Sequence, residues 1–386
     1  MLILNKLVTV CNILIGWLVY LISYIIKRKP NIWIFGSFGV FNDNSRYLFE
    51  YCLQYSDVRA IWISKNKQSV IKASQQGEAY YLWSLKGLYY ALKGGVYIYS
   101  SYLSDICFYT SNKTLKVNLW HGIPLKKIEF DINSSPLVFK FRKASWLYRL
   151  SHPSQHTAPD LLLSPSHYVS EYSFKTAFRV NDNHIIHAMY PRVTELIKSK
   201  ALQEFSSYNN TFLYAPTWRD DGSDFVHMSG IDFTALDNLL KCNNSILLIK
   251  LHPSTKLSLD INYSNIKIVN NQIDPIALMK SAQCLITDYS SIYFDYLYLN
   301  RPIIFFPFDK EKYLENREMY FKYDDVTPGI LALNSDELLF AIQNVIEGKD
   351  LCIQERDDCF ESFGLEHLGN EYIIQQIKRT YQEWRH

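Results

Sequence analysis

Short runs of Val, Ile, Leu and aromatic residues recur along the chain, most of them closed by Gly, Ser or Pro. In the first half "NIWIFGS" (31–37), "VRAIWIS" (58–64), "GGVYIYSS" (94–101) and "KVNLWHG" (116–122) read as buried strands. Helical spacing falls between them, as in "SRYLFEYCLQY" (45–55). A second series begins near 211 with "TFLYAP" (211–216), "SILLIKLHP" (245–253), "QCLITDYSS" (283–291) and "RPIIFFPF" (301–308), with helices predicted over 232–242 and 290–300. Strands that alternate with helices predict a parallel sheet covered on both faces, and two series predict two doubly wound halves. The join falls in the polar stretch near 190–208, after "YPR" (190–192), and the tail 366–384 reads as a helix able to pack on either half.

The length agrees, since 386 residues exceed one ordinary core. The chain divides into a hydrophobic N-terminal helix with a basic cluster (1–29), two Rossmann-like halves (30–195 and 205–365) and a C-terminal helix (366–386). A net charge of +2 provides no global basic field, which argues against nucleic acid and makes any anion site local. The cysteines at 11, 52, 107, 242, 284, 352 and 359 form no C-x-x-C pair, which fits free thiols in a reducing compartment and disfavours zinc.

Residues 7–26, "LVTVCNILIGWLVYLISYII", carry no charge and precede "KRK" (27–29). That length suits a membrane span. One alternative is a helix in the membrane plane with Lys27, Arg28 and Lys29 on anionic headgroups, and the plainer one is a buried core helix. Either membrane arrangement keeps the rest of the chain at the cytoplasmic face, because the basic cluster lies on the C-terminal side.

Candidate chemistry gathers at the C-terminal ends of predicted strands, where open α/β sheets bind ligands. His121 ends one strand and is followed at once by Gly122, Pro124, Lys126 and Lys127. Thr217, Arg219 and Asp220 follow "TFLYAP"; Lys250 and His252 close "SILLIKLHP"; Asp288, Ser290 and Ser291 follow "CLIT". Each has a plainer reading. His121 can be a core histidine, Arg219 with Asp220 a surface ion pair, a serine a helix cap, and the lysines a solvated face. The start of "DYSSIYFDYLYLN" (288–300) also offers backbone N–H groups and two hydroxyls to a phosphate, without the glycine spacing of a P-loop. Asp288 repels phosphate there and is expected to brace the loop.

In order along the chain, "FGSFGVFNDNSRYLFEY" (35–51), "AIWIS" (60–64), "WHGIPLKKI" (120–128), "YPR" (190–192), "YAPTWRD" (214–220), "KLHP" (250–253), "TDYSSIYFDY" (287–296), "RPIIFFPFDKEKY" (301–313) and "REMYFKYDDVTPGI" (317–330) resemble the CDP-glycerol glycerophosphotransferases of teichoic-acid and related surface-polymer synthesis. The resemblance implies a GT-B fold, two Rossmann-like domains facing a cleft, with an N-terminal acceptor domain and a C-terminal CDP-polyol donor domain. It implies transfer of glycerol phosphate, or a related polyol phosphate, from a CDP-polyol to a hydroxyl of an undecaprenyl-linked saccharide, with release of CMP at the membrane surface. His121 and His252 match the family's two critical histidines. Thr217, Arg219, Asp220, Lys250, Asp288, Ser290, Ser291 and Asp295 fall on the donor side, and Gly122, Lys126 and Lys127 serve acceptor or anion attraction. The chain departs from the family at Ile123, usually Thr, and at "PGI" (328–330), usually "PGP". It departs again at Glu318–Met319, where a Gly is common, and in the degraded segment 362–373.

The reaction so implied needs a base for the attacking hydroxyl and stabilisation of the leaving CMP. His121 is the candidate base, and His252, Arg219 and the segment 290–291 are candidates for charge stabilisation. No carboxylate cluster marks a protein metal site, so no cofactor is expected beyond Mg²⁺ carried by the nucleotide. The alternative enzyme is a GT-B nucleotide-sugar glycosyltransferase of capsule or surface polysaccharide, which releases a nucleoside diphosphate. The alternative outside catalysis is a binder of anionic surface polymer.

Overall fold

The computed structural model describes residues 2–219, 225–251, 263–270, 273–315 and 317–384. The chain forms two compact units. Unit 1 comprises 1–121, 128–194 and 365–386; unit 2 comprises 122–127 and 195–364.

Unit 1 opens with α1 (Leu2–Ile25). Its sheet has seven parallel strands: β1 (Lys29–Gly36), β2 (Arg59–Ser64), β3 (Ala79–Tyr81), β4 (Gly94–Tyr99), β5 (Leu115–Asn118), β6 (Leu161–Ser164) and β7 (Ile185–His187). Their order is β3-β2-β1-β4-β5-β6-β7. Ile34 pairs with Ile61 on one side and Tyr97 on the other, so β1 and β4 lie centrally and read as continuous apolar runs. The crossovers contain α2 (Asp43–Tyr55), α3 (Lys67–Ser74) and α4 (Leu85–Lys93). Asn66 and Ser84 cap α3 and α4 by accepting from the backbone N–H of Gln68 and Gly87. The C-terminal helix Asn370–Trp384 also belongs to unit 1 and buries Ile373, Ile374, Ile377 and Tyr381.

Among the described residues unit 2 holds six parallel strands: β8 (Asn210–Tyr214), β9 (Ser245–Ile249), β10 (Ile266–Ile268), β11 (Cys284–Thr287), β12 (Ile303–Phe305) and β13 (Ile330–Leu331), ordered β10-β9-β8-β11-β12-β13. Phe212, Leu247, Ile249, Ile286 and Ile304 build its core with Leu236 and Leu240 of one helix and Leu338 and Ile342 of another.

The N-terminal helix departs from expectation. Among the described residues no helix is long and apolar enough to cross a membrane. One side of α1 is committed to protein. Gly16 is buried against Tyr109, Tyr20 stacks on Phe108 at 4.8 Å, and Trp17 Nε1 donates to the Leu150 carbonyl at 3.0 Å. Val10, Leu14, Ile15, Leu18, Leu21, Ile22 and Ile25 remain exposed. Arg28 does not reach outward to headgroups as a flexible basic residue would. It is 5% exposed and donates to the carbonyls of Ala91, Leu92 and Thr110 at 3.0, 2.7 and 2.8 Å. The planar guanidinium fork suits that cluster of buried carbonyls, of which Ala91 also accepts from the Tyr97 hydroxyl at 2.6 Å. Lys27 and Lys29 stay exposed.

Candidate active site

β4 and β5 are neighbours, so Ser100 and the segment after Asn118 emerge at one edge of the unit 1 sheet. β5 stops at Asn118, not at Gly122. Trp120 takes φ +51°, a left-handed conformation that a strand cannot continue, and the Asn118 side chain accepts from its N–H at 2.8 Å. Strand alternation therefore does not set Trp120 opposite His121. The two rings lie 4.0 Å apart, and Trp120 is buried against Phe178.

His121 is fixed from two sides. Its Nδ1 lies 3.0 Å from the Ser100 carbonyl oxygen, and a carbonyl only accepts, so Nδ1 carries the proton and Nε2 keeps a lone pair. Its own carbonyl accepts from Arg192 at 2.8 Å. Arg192 also donates to Asp43 at 3.1 Å, and Asn44 links the Trp120 carbonyl to the Arg192 N–H at 2.8 and 3.2 Å. Desolvation lowers the imidazole pKa from its ordinary 6.5, and the Asp43 charge opposes that shift. The ring edge is nevertheless exposed. A neutral, oriented imidazole with a free nitrogen can take a proton. Asp43, Asn44 and Ser100 escaped sequence reasoning, although "NDNSR" and "YPR" mark two of the three segments involved.

In unit 2 the loops after β8, β11 and β12 meet around Arg219. Arg219 donates to Asp288 at 2.9 Å and, through two nitrogens, to Asp309 at 2.8 and 2.9 Å. Its guanidinium lies 5.1 Å from the ring centres of Tyr289 and of Tyr313, which stack on each other at 3.7 Å. Asp288 is fully buried and accepts from the N–H groups of Thr217 and Tyr289 at 2.8 and 2.6 Å. The Tyr289 hydroxyl donates to Asp309 at 2.9 Å. Asp288 thus braces the loops, and Arg219 is held by two carboxylates. That bond set differs from the open phosphate contact the sequence suggested for Arg219. Asp309 was visible in the sequence only as part of "FPFDKEKY".

The remaining candidates divide. The Thr217 hydroxyl is buried without a partner among the described residues. Lys250 Nζ donates to the Asn270 carbonyl at 3.1 Å, and burial lowers its pKa. Ser290 and Ser291 are half-exposed ahead of a helix limited to Ile292–Leu297, shorter than expected. Only Ser290 caps, weakly, accepting from Ile292 at 3.4 Å. Asp295 is buried within that helix, not open at the loop edge. Gly122 takes φ +144°, where a side chain would be strained. Lys126 rests on Tyr313, and Lys127 pairs with Glu318 at 3.9 Å. His252 and Asp220 lie outside the described residues. Among the described residues no three His, Cys, Asp or Glu side chains cluster as metal ligands.

Residues 18–363 match the sequence pattern of the CDP-Glycerol:Poly(glycerophosphate) glycerophosphotransferase family. The chain belongs to this family. It is an enzyme of the CDP-glycerol glycerophosphotransferase type. It is 30% identical to the teichoic acid poly(glycerol phosphate) polymerase of Bacillus spizizenii, over 91% of this chain and 95% of that one. It is also 30% identical to the Staphylococcus epidermidis enzyme of the same name, over 92% of this chain but 51% of the relative, so the chain spans about half that protein's length. A solved structure of the wall teichoic acid polymerase TagF, in a variant soaked with CDPG, superposes with a TM-score of 0.76 at 26% identity, covering 98% of this chain and 97% of that one. The glycerophosphotransferase family thus accounts for the ordered motifs in both units.

Proposed function

We propose that the chain is a GT-B glycerophosphotransferase that moves glycerol phosphate from CDP-glycerol to a hydroxyl of a lipid-linked saccharide at the cytoplasmic membrane face. Unit 1 serves the acceptor and unit 2 the donor. The observation that carries the reading is the His121 tautomer: Nδ1–H is tied to Ser100, so Nε2 is the atom left to act as base. The acceptor oxygen attacks the β-phosphorus as its proton passes to Nε2. The bond from that phosphorus to the bridging oxygen breaks, and CMP leaves with the electron pair. Thr217, Lys250, Ser290 and Ser291 are the groups assigned to the donor's phosphates, and His252 retains the second role implied by the family pattern.

Peripheral membrane attachment is part of the proposal. The exposed apolar row of α1 adjoins the helix Trp146–Ser151 through the Trp17–Leu150 hydrogen bond. That second segment exposes Trp146, Leu147 and Leu150 beside Lys140, Arg142, Lys143 and Arg149. Apolar and basic side chains interleaved on one surface suit an anionic bilayer.

The test is an assay of purified protein with CDP-glycerol and a lipid-linked acceptor, following CMP and transferred glycerol phosphate together. Equal amounts of both are expected. Release of a nucleoside diphosphate from a nucleotide sugar, with no CMP from CDP-glycerol, would overturn the reading in favour of a glycosyltransferase.

A further inference from the structure

Six residues that follow His121 in sequence, 122–127, belong to unit 2. They are sewn to it as a short antiparallel strap. Lys126 bridges Met319, the Lys127 N–H donates to the Glu318 carbonyl at 2.8 Å, and the Tyr320 N–H donates to the Leu125 carbonyl at 2.9 Å. Ile123 and Leu125 are buried, at 3% and 2% exposure. Strand alternation then turns Lys126 the other way from Leu125. Its ammonium donates to the Tyr313 hydroxyl at 2.9 Å.

Tyr313 is one of the rings that flank Arg219, so the strap delivers a second cation to the edge of the Arg219 network. The two differ in their counter-ions. Arg219 is held by Asp288 and Asp309. Lys126 has no carboxylate within ion-pair distance among the described residues; its one hydrogen-bond partner there is a neutral phenol. Desolvation, reinforced by the charges of Arg317 and Arg219 and only partly opposed by the Asp288 carboxylate, lowers its pKa to about 8. A half-buried ammonium without a counter-ion is costly until an anion arrives. In the loop that carries Arg219, the buried Thr217 hydroxyl is also without a partner among the described residues.

We propose that Lys126, rather than Arg219, joins Lys250 as a cation of unit 2 that binds the diphosphate of the CDP-activated donor, with Tyr313 positioning its ammonium and Arg219 holding the loops behind it. This rests on the proposed donor role of unit 2. It also gives the lysine immediately after "IPL" a role different from its neighbour. Lys127 already has Glu318 and is not required.

The test is equilibrium binding of CDP and of cytidine to the full-length protein, with thermal melting of each variant. Lys126→Met should weaken CDP binding about 10- to 100-fold and leave cytidine binding unchanged. Lys126→Arg should recover part of the loss, and Lys127→Met should bind CDP like the wild type. Wild-type affinity for CDP should fall as pH rises through about 8, where free Lys126 loses its charge, and the fall should be absent in Lys126→Arg. Tyr313→Phe keeps the ring and should weaken CDP binding less than Lys126→Met. Wild-type CDP affinity in a folded Lys126→Met protein overturns the assignment while the donor role of unit 2 stands. Wild-type protein that binds neither CDP nor CDP-glycerol overturns the donor role, and this inference with it.

Discussion

Arg219 and His121 show how far a residue's neighbours decide its role. The sequence marks both as chemical candidates after strands, and it carries no sign that two carboxylates hold one and a single carbonyl orients the other. Their partners, Asp309 and Ser100, come from distant segments whose approach only the sheet order creates. The consequences for mutation are opposite. Arg219→Ala leaves the buried Asp288 and the half-buried Asp309 without their cation, at a cost of about 3–5 kcal/mol. It should lower the melting temperature of unit 2 by roughly 10 °C, and loss of turnover should follow the folded fraction. A variant with normal melting and weakened CDP binding would instead make Arg219 the phosphate ligand. His121→Ala removes an exposed ring and should leave melting nearly unchanged while kcat falls by about 10²–10⁴. The pH profile provides a second check. The pKa of His121 is lowered, and the base is its neutral form, so its activity should persist down to pH 6.5 and fall only below it. A mutant that melts early but turns over normally per folded molecule would return His121 to a structural role.

At the scale of elements, the long central strands were legible and the edges were not. β1, β2, β4, β5, β8, β9, β11 and β12 carry apolar runs that the pattern exposes. β3, β7, β10 and β13 have two or three residues each and form the four sheet edges, too short for a period to declare itself. β6 was missed as well, a four-residue "LLLS" without alternation. α1 was legible as a helix and misread in its surroundings. Hydrophobicity alone could not show that Gly16, Trp17 and Tyr20 face protein, or that Arg28 turns inward to carbonyls. Two predictions separate its faces. Leu14→Asp with Leu18→Asp places charges on the exposed row, so vesicle co-sedimentation with anionic lipid should drop while melting is unchanged. Unaltered co-sedimentation would move the membrane contact off α1. Arg28→Met removes the guanidinium donor from the Leu92 carbonyl and leaves those of Ala91 and Thr110 to the Tyr97 hydroxyl, a loss of about 1–3 kcal/mol per carbonyl left unsatisfied, so it should destabilise unit 1. An unchanged denaturation midpoint would show that water replaces the guanidinium.

The whole molecule is threaded through its two units, with crossings after His121, Lys127, Thr194 and Gly364. The sequence showed two series of strands and a polar join, but not that residues 122–127 leave unit 1 early or that the tail returns to it. Both facts depend on pairings far apart in sequence. The tail returns by specific bonds: the Glu366 N–H donates to the Pro165 carbonyl at 2.9 Å, and the Met189 N–H donates to the Leu368 carbonyl at 2.8 Å. Ile373, Ile374, Ile377 and Tyr381 then enter the unit 1 interior, and Lys378 pairs with Asp57. Burying four such side chains contributes on the order of 6–12 kcal/mol, as much as the net stability of a typical domain. Unit 1 should therefore not complete its folding until the last 22 residues, 365–386, are available. Removing residues 365–386 should abolish the unit 1 thermal transition and expose its residues to protease. Unit 2, which the tail does not help to build, should keep its transition and survive as a fragment that begins near Glu195. If the truncated protein instead shows both transitions unchanged, the tail is a peripheral addition and unit 1 closes its core without it.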